Sequence, residues 1–198
     1  MIRRNWIGRL FAVAVTAAAL ASPASAGIIP ASVTVTPEAG NFRWTYAIVL
    51  PTDMKLQAGD YFTIYDFGGL VPNSNVQPAN WAFSTTNSGP VPPGLSPSDN
   101  PSLPNLTWTY NGATIPSGQI GLGNFWAVST NSTSVTVAFT AQNPQASTGQ
   151  SDRNIVDTLA PAPGSVTPPS GVPEPTTLAL AALGLPLMGA ARLIRRKK

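Results

Sequence analysis

Four carboxylates, Asp53, Asp60, Asp66 and Asp99, are the side chains best suited to acid–base chemistry. Two of them could serve a glycosidase-like site, one protonated to donate to a leaving oxygen and one ionised as base or nucleophile, if they stood about 5–10 Å apart in one cleft. Aspartate is also favoured in turns, where its short side chain accepts from nearby backbone N–H groups. Asp60 follows Gly59, Asp99 precedes Asn100-Pro101 and Asp53 follows Pro51-Thr52, so turn chemistry accounts for all three. Asp66 lies in an aromatic stretch and fits either a solvent-facing strand position or a ligand at a sheet edge. No residue is assigned a catalytic role. The chain contains neither Cys nor His. That excludes disulfides, zinc sites built on thiolate or imidazole, cysteine nucleophiles and Ser-His-Asp triads. No D-x-[DN]-x-[DN]-G loop occurs, so a calcium site would have to be assembled from distant loops such as those of Asp60 and Asp99. No cofactor or metal is expected.

Aromatic residues offer a second chemistry. Trp81, Trp108 and Trp126, with Tyr110, are candidate ligand-facing rings on which sugars could stack. The competing expectation is that tryptophans of a small β domain, Trp44 included, fill its core. The paired threonines Thr34/Thr36, Thr107/Thr109 and Thr133/Thr136 suit half-exposed strands and form no repeated ladder. Asn105-Leu106-Thr107 and Asn131-Ser132-Thr133 match a glycosylation acceptor pattern that is frequent by chance.

The elements that must position these residues are strands. Phe42, Trp44, Tyr46, Ile48 and Leu50 alternate with Arg43, Thr45, Ala47 and Val49, the period-two pattern of a half-buried strand. Similar alternation covers Tyr61–Phe67, Leu106–Tyr110 and Val135–Phe139, with weaker candidates at Ser32–Thr36, Trp81–Thr85 and Phe125–Ser129. Gly59-Asp60, Gly68-Gly69, Pro92-Pro93-Gly94, Asn111-Gly112 and Asn131-Ser132 separate them as breakers. The pattern predicts an all-β domain over residues 27–144. About seven short strands suggest a single antiparallel β-sandwich, Ig-like or jelly-roll, with a partly open barrel as the alternative. Residues 87–104, with six prolines, read as one long surface loop. From 145 to 171 the composition turns to Pro, Ser and Thr and predicts an extended spacer; Ile155 to Leu159 could add one edge strand or a turn.

The ends of the chain have a different character. The whole chain is basic, with 11 Lys and Arg against 8 Asp and Glu. Only Arg43, Lys55 and Arg153 lie between Gly27 and Val172, against seven acidic residues, so that segment carries a net charge of −4. A basic stripe for nucleic acid is therefore not expected there. Residues 1–26 predict a secretory signal helix. Arg3, Arg4 and Arg9 form its positive region, Leu10–Leu20 its apolar run, and Ala24 and Ala26 supply small residues at positions −3 and −1 of a cleavage site. The apolar run of eleven residues is short against the ~20 needed to span a bilayer. Export machinery and a signal peptidase are the expected partners. Arg3-Arg4 alone is weak ground for twin-arginine export.

At the other end, Val172, Pro173, Glu174 and Pro175 precede an apolar stretch and then Arg192, Arg195, Arg196, Lys197 and Lys198. Thr176 to Ile194 would make ~28 Å of helix, about one bilayer core, with the basic cluster anchored on the cytoplasmic side. This order of Val-Pro-Glu-Pro, apolar helix and basic tail resembles the PEP-CTERM sorting signal. The resemblance covers residues 172–198. It implies that exosortase, a membrane-embedded transpeptidase-like protease, recognises Pro173, Glu174 and Pro175 and processes the chain near them. It further implies a transient inner-membrane anchor and delivery to the cell surface or extracellular matrix of a Gram-negative bacterium. The expected role is non-enzymatic: structural or adhesive, within an exopolysaccharide or biofilm layer. The rival readings are a carbohydrate-binding module and an extracellular hydrolase using an Asp pair.

Overall fold

A computed structural model describes residues 27–164. The chain forms eight strands: β1 (Ile29–Glu38), β2 (Asn41–Leu50), β3 (Tyr61–Ile64), β4 (Trp81–Thr86), β5 (Asn105–Tyr110), β6 (Ile120–Ser129), β7 (Ser134–Pro144) and β8 (Ser151–Pro161). They build a three-stranded sheet, β1-β2-β6, and a five-stranded sheet, β4-β5-β3-β7-β8. All pairings between strands are antiparallel, and the two sheets pack face to face as a sandwich. The signal helix and the membrane helix expected from the sequence lie outside the described residues. Among the described residues, no helix is long and apolar enough to cross a membrane.

The alternation in β2 does what its period dictates. Trp44, Tyr46, Ile48 and Leu50 are buried while Arg43, Thr45, Ala47 and Val49 are only partly covered. A two-residue turn joins β1 to β2, with Ala39 at φ 48° and Gly40 at φ 81°. Positive φ at both positions is the hairpin geometry whose twist suits antiparallel strands.

Opposite β2, the five-stranded sheet contributes Phe62, Trp108 and Phe139, and β6 adds Phe125. Phe62 is the hub. Its ring lies 5.3 Å from Trp108 and 5.4 Å from Phe139 in stacked arrangements, and 5.0 Å edge-on from Phe125. Trp81 closes the cluster at 5.5 Å from Phe62 and 5.0 Å from Phe125. Each such side chain contributes roughly 1.5–3 kcal/mol through the apolar area it removes from water, and the ring pairs add to this. Trp44 donates from Nε1 to the Asn131 carbonyl oxygen at 3.0 Å. Burial pushes the Tyr46 phenol up, so it stays neutral.

One expectation is corrected. The spacer predicted from residue 145 does not begin there: Ser151–Pro161 forms β8, paired along its whole length with β7. Its inward positions Asn154, Thr158 and Ala160 are buried, but they are small or polar, so the strand lacks the large apolar alternation that marks the others. Residues 87–104 form the expected surface loop, between β4 and β5, and it is tied down at two points. Pro92 is buried, and the Tyr65 hydroxyl donates to the Pro90 carbonyl oxygen at 2.9 Å. Beneath it, cross-strand partners Thr140, Thr63 and Thr107 form a buried row, in which the Thr63 and Thr107 hydroxyls are 2.9 Å apart.

Candidate functional site

The strands separate the three candidate tryptophans. Trp81 and Trp108 are 7% and 0% exposed and belong to the core, so they form no ligand-facing platform. The reason is parity: both point from the five-stranded sheet toward β2 and β6. Trp126 follows inward-facing Phe125 on β6 and therefore points the other way, onto the outer face of the three-stranded sheet. There it is half-buried.

The surroundings of Trp126 follow from register. Thr34, Thr45 and Trp126 are successive cross-strand partners, and Val76 bridges to Trp126 on the far side. The neighbouring rows are Thr36, Arg43 and Val128, and Ser32, Ala47 and Asn124. The Arg43 guanidinium carbon lies 4.1 Å from the Trp126 ring centroid, a cation–π contact. Arg43 also donates from Nε to the Glu38 carboxylate. That hydrogen bond holds the Glu38 carboxyl below its ordinary pKa. The result is a fixed Arg–Trp pair among hydroxyl side chains, able to offer an apolar ring surface and hydrogen-bond donors together. The alternation of β2 already pointed Arg43 outward; only the register of β2 with β6 sets it over Trp126.

The carboxylates are distributed as loop ties. Asp53 holds Ser147, accepting from its N–H at 3.0 Å and its hydroxyl at 2.9 Å, which fastens the β2–β3 loop to the β7–β8 turn. Asp60 is buried and accepts from the Gln57 N–H at 2.7 Å. Burial pushes its carboxyl up to about 6, against the Gln57 N–H and the Lys55 charge. Asp66 and Asp99 come near one another through Asn105. Asn105 accepts from the Asp66 N–H at 2.8 Å and donates to Asp99 Oδ1 at 2.9 Å. The Asn100 N–H donates to Asp66 Oδ1 at 2.8 Å. Burial raises the Asp66 carboxyl, the Asn100 N–H opposes this, and the Asp99 charge adds a smaller push upward. This constellation ties the proline-rich loop to the start of β5. A groove of about 330 Å³ between Leu70–Asn75 and β4 is lined by Phe83, Thr85 and residues 70–75, none of them ionisable. Among the described residues, no group of three acidic side chains could hold a metal ion.

The residues with the most explicit functional pattern, Ala24 and Ala26, Val172 to Pro175, and Arg192, Arg195, Arg196, Lys197 and Lys198, lie outside the described residues. What the fold and the charge distribution define is an all-β domain placed ahead of a terminal sorting segment. Residues 171–197 match the PEP-CTERM protein-sorting motif, which makes that segment an exosortase-directed signal and the chain an exported, membrane- or surface-associated protein. A comparison with curated proteins gives no match.

Proposed function

We propose that this protein is a non-enzymatic component of an extracellular layer: exported by a cleavable signal helix, held briefly in the inner membrane by its C-terminal helix, then processed by exosortase near Pro173-Glu174-Pro175. The β-sandwich takes a structural or adhesive role in an exopolysaccharide or biofilm matrix. The observation that carries this reading is the sorting motif at residues 171–197. The acidic character of the sandwich is consistent with it. The test is a fluorescent protein inserted before residue 172, with and without Pro173-Glu174-Pro175. The intact version is expected to mature and reach the surface, and the deleted version to accumulate unprocessed in the membrane. Identical maturation of both would refute the sorting step.

A second reading is supported by one feature, the Arg43–Trp126 pair on an outer sheet face rich in hydroxyls. Sugars pack their C–H faces on indoles and accept from guanidinium groups, so this face suits contact with the producing cell's own polysaccharide. Binding of that polymer to the exported protein, compared with Trp126→Ala, tests it; equal retention of both proteins on the polymer would remove the face from consideration.

A further inference from the structure

Gly27 is the residue that cleavage after Ala24-Ser25-Ala26 would leave first in the mature chain. It also lies two residues ahead of β1. Gly27 and Ile28 are both buried, and two asparagines of the five-stranded sheet hold Ile28 by its backbone. Asn143 on β7 accepts at Oδ1 from the Ile28 N–H at 2.9 Å, and Asn154 on β8 donates from Nδ2 to the Ile28 carbonyl oxygen at 3.0 Å. Asn143 Nδ2 donates in turn to the Lys55 carbonyl oxygen at 3.2 Å. Asn143 is 0% exposed and Asn154 8%.

One atom in this arrangement is unsatisfied. Asn154 Oδ1 is buried and accepts from nothing. Rotating the amide is no remedy, because it would set the oxygen against the Ile28 carbonyl oxygen. The geometry also singles out position 27. A methyl group on Gly27 would stand 2.7 Å from Asn143 Oδ1 and 2.7 Å from Asn154 Oδ1. Both amide oxygens therefore crowd the side of Gly27 where a side chain would stand, two bonds from its nitrogen. A buried acceptor without a donor is rare in native proteins. A peptide nitrogen offers a single hydrogen in a fixed plane, whereas an α-ammonium offers three that rotate, together with a positive charge that strengthens each hydrogen bond.

We propose that Asn143 and Asn154 form a receptor for the α-ammonium of Gly27, and that this ammonium is created when the export signal is removed between Ala26 and Gly27. In that cleavage water adds across the amide bond. Ala26 leaves with the water oxygen in its new carboxylate, and the nitrogen stays on Gly27 and takes up both protons of the water to become an ammonium. The ammonium then donates to Asn154 Oδ1 and completes the hydrogen bonding of the site. Signal removal thereby becomes the last step in assembling the edge where β1 meets β7 and β8. The proposal rests on residues 1–26 being an export signal.

The test uses the full chain exported from a bacterial host. Mass spectrometry of the purified protein reads its first residue, and 2-pyridinecarboxaldehyde, which labels free α-amines, reads how accessible that amine is. The expected results are Gly27 as first residue and labelling about tenfold or more slower in the native protein than in urea. Asn154→Ala is expected to remove the protection, and Gly27→Ala to weaken it by crowding the two oxygens. Detection of Met1 intact would overturn the export reading itself. Gly27 first but labelled in the native state at the unfolded rate would overturn the receptor alone, and so would any first residue other than Gly27. If Asn154→Ala does not fold, the comparison of native and urea-unfolded wild type still decides.

Discussion

Replacing Asp60 by Asn should make this protein more stable at neutral pH and leave it nearly unchanged in acid. Asp60 is 7% exposed, and burial lifts its carboxyl from 3.8 to about 6. The sign follows from linkage: the folded state binds the proton more tightly than the unfolded chain does. The associated stability is fully present below about pH 3.8 and is lost as pH rises through about 6. A shift of about two pKa units at 1.36 kcal/mol each sets the full loss at about 3 kcal/mol by pH 7.5, with about half of it already lost by pH 5. Asn keeps an oxygen to accept from the Gln57 N–H but never ionises. Thermal unfolding of the exported protein, followed by circular dichroism, is the assay. For a folded region of this size about 3 kcal/mol corresponds to a Tm difference of about 10 °C. The variant should unfold several degrees higher at pH 7.5 and within about 2 °C of wild type at pH 4. Equal Tm values at pH 7.5, or a gain that persists undiminished at pH 4, would refute the reasoning.

Other perturbations have equally definite outcomes. Trp108→Ala, which removes a fully buried ring in contact with Phe62 and Phe125, should destabilise by about 3–5 kcal/mol in urea unfolding. Gly68→Ala should be comparably damaging, because its methyl would meet the backbone oxygens of Ala162 and Pro161 at 2.5 and 2.7 Å; the same melts report it. Ala39→Asn should raise stability by about 0.5–1 kcal/mol, since Asn tolerates the positive φ at that hairpin position better than Ala. Arg43→Ala should leave the melting temperature nearly unchanged, as expected for a surface ion pair, while weakening retention on the native polysaccharide if the outer face binds it.

How far the sequence foretold this molecule depended on whether its information was local. The sorting signal was legible because it is read as a contiguous stretch: Val172 to Pro175, the apolar run and the basic tail need no fold to bring them together. β2 was equally plain, since its four inward residues from Trp44 to Leu50 are all large and apolar. β8 was foreseen only in part, as an edge strand or a turn at Ile155 to Leu159, because its inward positions carry Asn154, Val156, Thr158 and Ala160, a sequence that becomes a full strand through its ladder with β7. For the tryptophans, parity alone told only that Phe125 and Trp126 must face opposite ways. Which face held the core required the pairing of β6 with β2. Asp66, unexplained by local turn chemistry, proved to tie the proline-rich loop through Asn105, a contact spanning 39 residues. Asn143 and Asn154 lie beyond any such reading: they converge on Ile28 from 115 and 126 residues away.

The entry and exit of the sandwich stand at opposite ends of β8. Ile28 is held near its start, by Asn154, while the chain leaves at its finish, where the Ala162 N–H donates to the Thr133 carbonyl oxygen at 2.7 Å and the Gly68 N–H to that of Pro161 at 3.0 Å. Tension applied between Ile28 and Pro161 would therefore run lengthwise along an edge strand whose ladder bonds to β7 lie crosswise to the pull. Such bonds share a load and must fail together, whereas a strand peeled from its tip yields them one after another. The domain is built to resist a pull between those two points.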